Sequence, residues 1–459
     1  MMTMRNPATR SRTQGLQPCL LAIAGAFFLS ISGTAVAGSA YGIRTQSTSV
    51  LGSAQAGMTA GPYDLSRISL NPAALGLGSG TEVTTGLSGI MLYQRAYDVT
   101  ASTTTGTPLS GGNGGEAGTT VAIPHFYSAF DLDDRMRLGF GSTSYYGLGS
   151  KWQPGWAGRY YAGSSSILSA DILSVLSFRP IPSLIIAGGP VIEYLRVKTN
   201  TALDIGTVDQ LSGGFFGGVP GASDGTLATR ADSWSAGVIL GATYEVWEGT
   251  RLGVSWRSQI RHKLEGDADF SSGGPVGQGI SSVTGLFRDT KLRSSLINPA
   301  VATFGISQEI TPSLTVFADV QHMGWSSVRE ATLNFANPSQ PAARNVLNLR
   351  DSWYTALGGR YQLNQKYAVR SGIGLDEPAT RDHTRTPAIP DSFSVWTTIG
   401  LEVRMSDRMR LDFAYGHLFA DKAAINLNAT QPGNEFRGNL SGKTRTTSDF
   451  FAMQFAWKF

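Results

Sequence analysis

The chain has 459 residues, of which 41% are hydrophobic, only 15% are charged and 56 are glycine; its mean hydropathy is −0.06. That composition is too apolar for a disordered chain and too polar for a bundle of membrane helices. The formal charge of +4 includes Arg5, Arg10 and Arg12, so 34 basic and 33 acidic residues remain beyond the N-terminal segment. No basic excess points to nucleic acid. The one cysteine, Cys19, lies in that same segment. The rest of the chain can therefore hold no disulfide, no zinc–thiolate site and no cysteine nucleophile.

Residues 1–37 read as a secretory signal. Arg5, Arg10 and Arg12 supply a positive start, Leu20–Leu29 an apolar run of about ten residues, and Ala35-Val-Ala37 a small-residue cleavage site before Gly38. The apolar run is too short to span a bilayer, which needs about 20 residues. Cys19 precedes the run rather than ending it, which argues against a lipoprotein anchor. No later stretch is apolar over 18 residues, so any further crossing must be made by strands.

Residues 38–80 are rich in Gly, Ala and turn formers and lack alternation. Beyond them the chain alternates with period two. Between Arg251 and Glu265, Leu252, Val254, Trp256, Ile260 and Leu264 share one parity and Arg251, Arg257, Arg261, Lys263 and Glu265 the other. The same pattern runs through 392–405 and 408–421. In the last strand Phe451, Met453, Phe455, Trp457 and Phe459 lie on one face, which would invite aggregation in water but suits a lipid-facing wall. Short connections (131–134, 179–182, 248–250, 364–365, 406–407) alternate with long polar ones (98–118, 201–232, 271–289, 337–348, 378–391, 428–445). That is the pattern of periplasmic turns and extracellular loops.

Fourteen strands are predicted, near 81–94, 119–130, 135–147, 165–179, 183–199, 233–247, 251–266, 291–309, 313–334, 351–363, 366–376, 392–405, 408–421 and 446–459. The fold class expected is an all-β, 14-stranded antiparallel transmembrane barrel over 81–459. Its lumen is too wide for side chains alone to fill. The segment 38–80 is the candidate plug.

The residues Ser49–Gly57 and Asp64–Ala73, with the triplet Asn71-Pro72-Ala73, resemble the hatch of the FadL/TodX family of outer-membrane transporters of long-chain fatty acids and other hydrophobic compounds. Ser144-Tyr-Tyr-Gly-Leu148 resembles the family's third strand, Trp156–Tyr161 the segment after it, and Ser371–Asp376 with Ile389-Pro-Asp391 the region near the end. The resemblance spans essentially all of the chain after residue 37. It implies a 14-stranded barrel with a hatch, capture of a hydrophobic ligand among the outer loops, hatch rearrangement, and sideways exit at a kink in the third strand. Asn71, Pro72 and Ala73 then belong to the hatch, and Gly147, Leu148 and Gly149 to the lateral gate; glycine inside a strand marks a bulge or kink.

A fatty-acid carboxylate needs a cation. Aligned on the family's fifth and ninth strands, Thr201 and Thr332 stand where some members carry basic residues. Arg196, Lys198 and Arg329 are the nearby candidates for head-group contacts, and a neutral aromatic or alkane ligand, as in the TodX-like branch, stays open. The expected partners are a hydrophobic small molecule and outer-membrane lipids, with the protein a monomer in the outer membrane. No cofactor, metal or catalytic residue is expected. The rival readings are a lipid hydrolase and a general porin for polar solutes. The five histidines are dispersed, and His262 shares the parity of Val254 and Leu264, hence faces lipid on this reading. An ordered hatch argues against the porin.

Overall fold

The computed structural model describes residues 39–459; the expected signal, 1–37, lies outside the described residues. Fourteen strands form one closed antiparallel barrel. They are β1 (Glu82–Ser102), β2 (Thr120–Asp131), β3 (Met136–Thr143 and Gly147–Lys151), β4 (Ser164–Ile181), β5 (Leu184–Asp204), β6 (Asp224–Trp247) and β7 (Thr250–Arg257 and Ile260–Ser271). Then follow β8 (Thr290–Asn298 and Val301–Thr311), β9 (Leu314–Met323 and Glu330–Phe335), β10 (Ala343–Val346 and Ser352–Gln362), β11 (Tyr367–Asp376), β12 (Ser394–Arg404), β13 (Met409–Ala420 and Ala423–Leu427) and β14 (Asn439–Lys458). Each pairs with its sequence neighbours. β14 returns to β1 in a register running from Glu82↔Lys458 to Ser102↔Asn439, which closes the wall.

Closure pairs the backbone of a membrane-crossing sheet around the wall, apart from one interruption between β2 and β3 described below. The outer face is the apolar parity expected for the last strands: Ile399, Phe413, Phe419, Phe451, Met453 and Trp457 all point outward. Trp457 and Phe459 stack at 4.5 Å in the periplasmic girdle. Several strands run beyond their predicted ends. β1 reaches Ser102, β5 reaches Asp204 and β14 starts at Asn439. Above the membrane both faces of a strand meet polar surroundings, so the alternation that marks the spanning part disappears there. Two outer connections also hold short helices, α2 (Ile205–Leu211) and α3 (Pro275–Thr284); α1 (Thr48–Leu51) lies in the N-terminal segment.

One facing is reversed. Val254 and Trp256 point out, as expected, but Ile260, His262 and Leu264 are buried inside the barrel while Arg261, Lys263 and Glu265 point out. β7 breaks at Ser258–Gln259, and a one-residue slip turns every following side chain to the other face. The apolar residues past the break therefore line the lumen, and His262 is not lipid-facing.

The lumen is plugged by residues 39–80. Leu65, Ile68 and Leu75 of this hatch pack with Tyr127 and Ala129 of β2, Leu173 and Val175 of β4, Val191 of β5 and Ile239 of β6. The rest of the contact is polar, in three groups. The Asp319 carboxylate of β9 accepts from the Gly57 and Thr59 amides at 2.5 and 3.1 Å and from the Thr59 hydroxyl. Arg44 pairs with Asp376 of β11 at 3.1 Å and stacks 3.8 Å from the Tyr354 ring centre. Asp64 pairs with Arg410 of β13 at 2.9 Å. Buried charges persist only when paired in this way.

Candidate functional site: the hatch and the interrupted third strand

The hatch contains two 3₁₀ turns, Leu65–Ser69 and Pro72–Leu77, each started by a side-chain cap. Asp64 caps the first through the Ser66 amide. Asn71 caps the second: its Oδ1 accepts from the Ala73 amide at 3.0 Å, and Pro72 occupies the first helical position, where a missing N–H costs nothing. The amide of Asn71 reaches further. Its Nδ2 donates to the Thr59 carbonyl at 2.8 Å and to the Ala242 carbonyl of β6 at 3.3 Å. One side chain thus ties the turn, the hatch and the wall together. The wall makes room for it with Gly241, where a Cβ would fall 2.0 Å from Asn71 Oδ1. Ala73 is fully buried in the turn.

Charge at Asp64 is held in place. Burial pushes its carboxyl pKa up, but Arg410 and the hydrogen bonds from Ser49 and Ser66 outweigh that and bring it well below the usual range.

β3 is interrupted at Ser144, Tyr145 and Tyr146. Its ladder to β2 stops at Phe126↔Ser142, and its second segment, Gly147–Lys151, pairs only with β4. On the β2 side, Val121–His125 pairs with β1 alone; this stretch contains Pro124, which has no N–H to donate. The wall is thus unpaired between these two stretches, and the Lys151 amide donating to the Ala117 carbonyl at 2.9 Å bounds the gap above.

The hatch itself covers the interruption. Residues 41–43 lie antiparallel to 145–147: the Ile43 amide donates to the Tyr145 carbonyl at 2.9 Å, and the Gly147 amide donates to the Tyr41 carbonyl at 2.8 Å. The three tyrosines are then pinned by their hydroxyls. Tyr41 donates to the Ile297 carbonyl, Tyr145 to the Ser69 carbonyl at 2.6 Å and Tyr146 to the Pro299 carbonyl. Gln46 donates to both the Ile43 and Ser144 carbonyls. Gly147, Leu148 and Gly149 are all buried in the segment that rejoins β4, immediately after the interruption.

Behind the interruption sits a buried polar cluster. Arg257 of β7 pairs with Asp171 of β4 at 2.8 Å and Glu193 of β5 at 3.2 Å, and its guanidinium lies 4.4 Å from the Tyr145 ring centre. Glu193 also bonds His262 at 2.8 Å and accepts from Asn298 at 2.6 Å. Between hatch and kink remains a cavity of about 10 Å³, touched by Ile43, Arg44, Gln46, Met58 and Tyr145. It holds about one water.

The basic candidates sit elsewhere. Arg196 and Lys198 share the outward parity of Ile192 and Tyr194 on β5, and Arg196 donates to the Tyr194 hydroxyl on that outer face. Arg329 is exposed in the link between the two segments of β9. None of the three meets the hatch or the kink. What the sequence reading did not single out is Tyr41, Tyr145 and Arg257. The signal in the sequence was Pro124 inside a strand, which marks a break in a ladder; no local pattern marks Arg257.

The family described as outer membrane protein transport protein (OMPP1/FadL/TodX) matches residues 28–459. A putative outer membrane protein of Neisseria meningitidis is 22% identical over 453 residues, covering 94% of this chain and 97% of that one. A long-chain fatty acid transport protein of Escherichia coli is 22% identical over 396 residues, covering 82% and 86%. Among solved structures, a FadL homologue of Pseudomonas aeruginosa superposes with a TM-score of 0.85 at 22% identity, over 92% of this chain and all of that one. The Pseudomonas putida toluene transporter TodX gives 0.67 at 16%, over 92% and 100%. With the family matched over nearly the whole chain and the same fold in those structures, the chain belongs to the OMPP1/FadL/TodX family of outer-membrane transport proteins and is an outer-membrane β-barrel.

Proposed function

We propose that the protein is a passive uptake channel for hydrophobic small molecules, long-chain fatty acids ahead of aromatic hydrocarbons, working as a monomer whose cargo leaves sideways through the wall between β2 and β3. The observation that carries this reading is the pairing of Tyr41 and Ile43 with the interruption in β3, opposite an unpaired stretch of β2. A hatch strand lying on the one break in the β2–β3 ladder is placed to gate it.

The lumen supports the class of cargo. Its inner face carries Ile90, Leu92, Ile123, Leu195, Leu264 and Leu296, all buried. An apolar molecule gains about 25 cal/mol per Å² of apolar surface withdrawn from water. A side exit into lipid spares it the aqueous route. The cavity of about 10 Å³ behind the kink is far below the roughly 300–1,000 Å³ that enclose a ligand. The hatch therefore has to move for cargo to pass. Residues 71–73 move with the hatch, and residues 147–149 form the hinge side of the gate.

The relatives' names cover both classes of cargo. The Escherichia coli relative is named a long-chain fatty acid transport protein and the Pseudomonas putida neighbour a toluene transporter. Arg196 and Lys198 face outward, so a head-group role for them is not part of this proposal. The test is uptake of oleate, an alkane, toluene and a sugar by cells lacking the protein and by cells in which it is restored. Oleate uptake should rise most, with the sugar unchanged. Restored sugar uptake without any hydrophobic uptake would overturn the reading, and toluene ahead of oleate would reverse the order.

A further inference from the structure

On the outer face, the register of β1 and β14 sets Arg95 directly opposite Arg445 and Tyr97 opposite Lys443. Like charges directly opposite on neighbouring strands repel. Arg95 pairs with Glu116 at 2.9 Å, and Arg445 donates its Nε to the Ala420 carbonyl. Among the described residues Lys422, Lys443 and Arg445 form no ion pair. Lys422 stands 4.7 Å from the ring centre of Tyr97. The nearest acid below, Asp449, is engaged by His417 at 2.7 Å and by the Tyr415 hydroxyl at 2.8 Å. Of the four cations here, Arg95, Lys422, Lys443 and Arg445, Arg95 alone is in an ion pair among the described residues.

Its height is set by the wall beneath it. The apolar band of such a barrel is about 25 Å tall and its strands are tilted by about 40°. Counted from Trp457 in the periplasmic girdle, at about 3.3 Å per residue, the band ends roughly ten residues on, near Thr447. Tyr93, which pairs with Thr447, sits at that boundary as an outer girdle aromatic. Arg445, Lys443 and Arg95 follow immediately above, at the level of the lipid headgroups. Below the boundary, a groove of about 770 Å³ runs down the same strands, lined by Leu87, Ile399, Phe413, Tyr415, Phe451 and Met453.

We propose that this face holds a phosphorylated lipid of the outer leaflet. Its phosphate sits between Arg95, Lys443 and Arg445, and an acyl chain lies in the groove. Guanidinium groups bind phosphate bidentately. An anion between Arg95 and Arg445 relieves the repulsion that their register creates, and the groove, whose upper lining on these strands is Gly89 and Phe451, six residues lower, takes the lower part of the acyl chain. Nothing in this proposal depends on the cargo or on the route through the wall.

The test uses the full-length barrel in nonionic detergent. Wild type and Lys443→Gln/Arg445→Gln are titrated with lipopolysaccharide carrying phosphorylated lipid A, with the same lipid dephosphorylated, and with inorganic phosphate. The readout is the temperature at which heat-modifiable gel mobility is lost. The phosphorylated lipid should raise that temperature for wild type, and the double variant should need roughly tenfold more lipid or above for the same shift. The dephosphorylated lipid should bind wild type as weakly as the variant binds the phosphorylated one, and inorganic phosphate should do nothing. Equal binding by wild type and variant overturns the proposal. So does equal binding of the dephosphorylated lipid, or an equal shift with inorganic phosphate. Arg135→Gln/Arg408→Gln, at the periplasmic turns, should bind like wild type; an equal loss there would reduce the effect to net charge and end the proposal. If the double variant fails to fold, Lys443→Gln alone, at an exposed side chain, is read against the same outcomes.

Discussion

The guanidinium of Arg257 lies 4.4 Å from the ring centre of Tyr145, the middle residue of the break in β3. The same guanidinium is the counter-ion of two buried carboxylates, Asp171 and Glu193. Three wall strands and the kink therefore meet at one side chain.

Removing that side chain leaves two carboxylates buried without their cation. Breaking a buried pair from one side costs about 3–5 kcal/mol, whereas replacing the whole set by apolar groups is often neutral. Arg257→Met should lower the thermal midpoint of the barrel in detergent. Arg257→Met/Asp171→Leu/Glu193→Gln should recover most of the loss, because Gln keeps an oxygen for His262 and Asn298 while the charges are gone. A single variant as stable as wild type would show that the cluster contributes nothing to the kink.

Gly241 tests the seat of the hatch. A Cβ there would lie 2.0 Å from Asn71 Oδ1 and 2.8 Å from Pro72 Cδ, while one at Gly89 meets only the Phe451 carbonyl at 3.8 Å. Overpacking of this kind costs about 1–3 kcal/mol. Gly241→Ala should expose the hatch to protease added to detergent-solubilised barrel, and Gly89→Ala should not. Equal protection in both variants would mean that the Asn71 turn does not anchor the hatch.

Asp64 predicts an acid-resistant hatch. Its folded-state pKa is depressed by Arg410 and the hydrogen bonds from Ser49 and Ser66 against the cost of burial. A depressed carboxyl contributes stability that is complete above its unfolded value, near 3.9, and is lost only as pH falls below that toward the folded value. The protease protection that Asp64 gives the hatch, measured as the difference between wild type and Asp64→Asn, should therefore be constant from pH 7 to about 4 and shrink at lower pH. A difference that disappears near pH 5 would contradict the assignment.

The glycines after the kink address the exit. The Gly147 amide holds the Tyr41 carbonyl, and Gly147 and Gly149 both lie in the segment that rejoins β4. Gly147→Val/Gly149→Val should reduce hydrophobic uptake while assembly and ligand binding stay near wild type, because side chains stiffen the backbone and narrow the gap. Small-ion conductance should not rise, since the hatch still fills the lumen. Wild-type transport in a correctly assembled double variant would place the exit elsewhere.

How much of this was legible in the sequence depends on what the physics writes locally. The strand count and the outward face of Phe451, Met453 and Trp457 follow from period-two alternation, because each spanning strand has lipid on one side only. The parity of Ile260, His262 and Leu264 was not legible. A break at Ser258–Gln259 leaves no residue-type mark strong enough to reset the count, and apolar residues such as Leu264 and Leu296 occur on the inner side of the wall as well as the outer. Asn71 and Pro72 announce a capped turn, yet the bond from Asn71 to the Ala242 carbonyl joins residues 171 apart. The pairing of Ile43 with Tyr145 is equally remote. No local pattern encodes either contact. The long strand ends above the membrane, such as Ser102 and Asn439, read as loops because no apolar phase marks them there.

On the proposed route, the hatch strand at Gly42 must leave Tyr146 for cargo to pass. These two residues face each other as a bridge pair, flanked by the hydrogen bonds of Ile43 and Gly147. Such non-hydrogen-bonded partners have Cα atoms about 4.5 Å apart, within reach of a disulfide. Cys19, in the expected signal, is the one native cysteine, so Gly42→Cys/Tyr146→Cys adds a unique pair. The measurement is oleate uptake by cells carrying the double variant, oxidised and then reduced, against the two single variants. Oxidation should abolish uptake, reduction should restore it, and the single variants should respond to neither treatment. Undiminished uptake with the bond fully formed, shown by gel mobility before and after reduction, would contradict the proposed route.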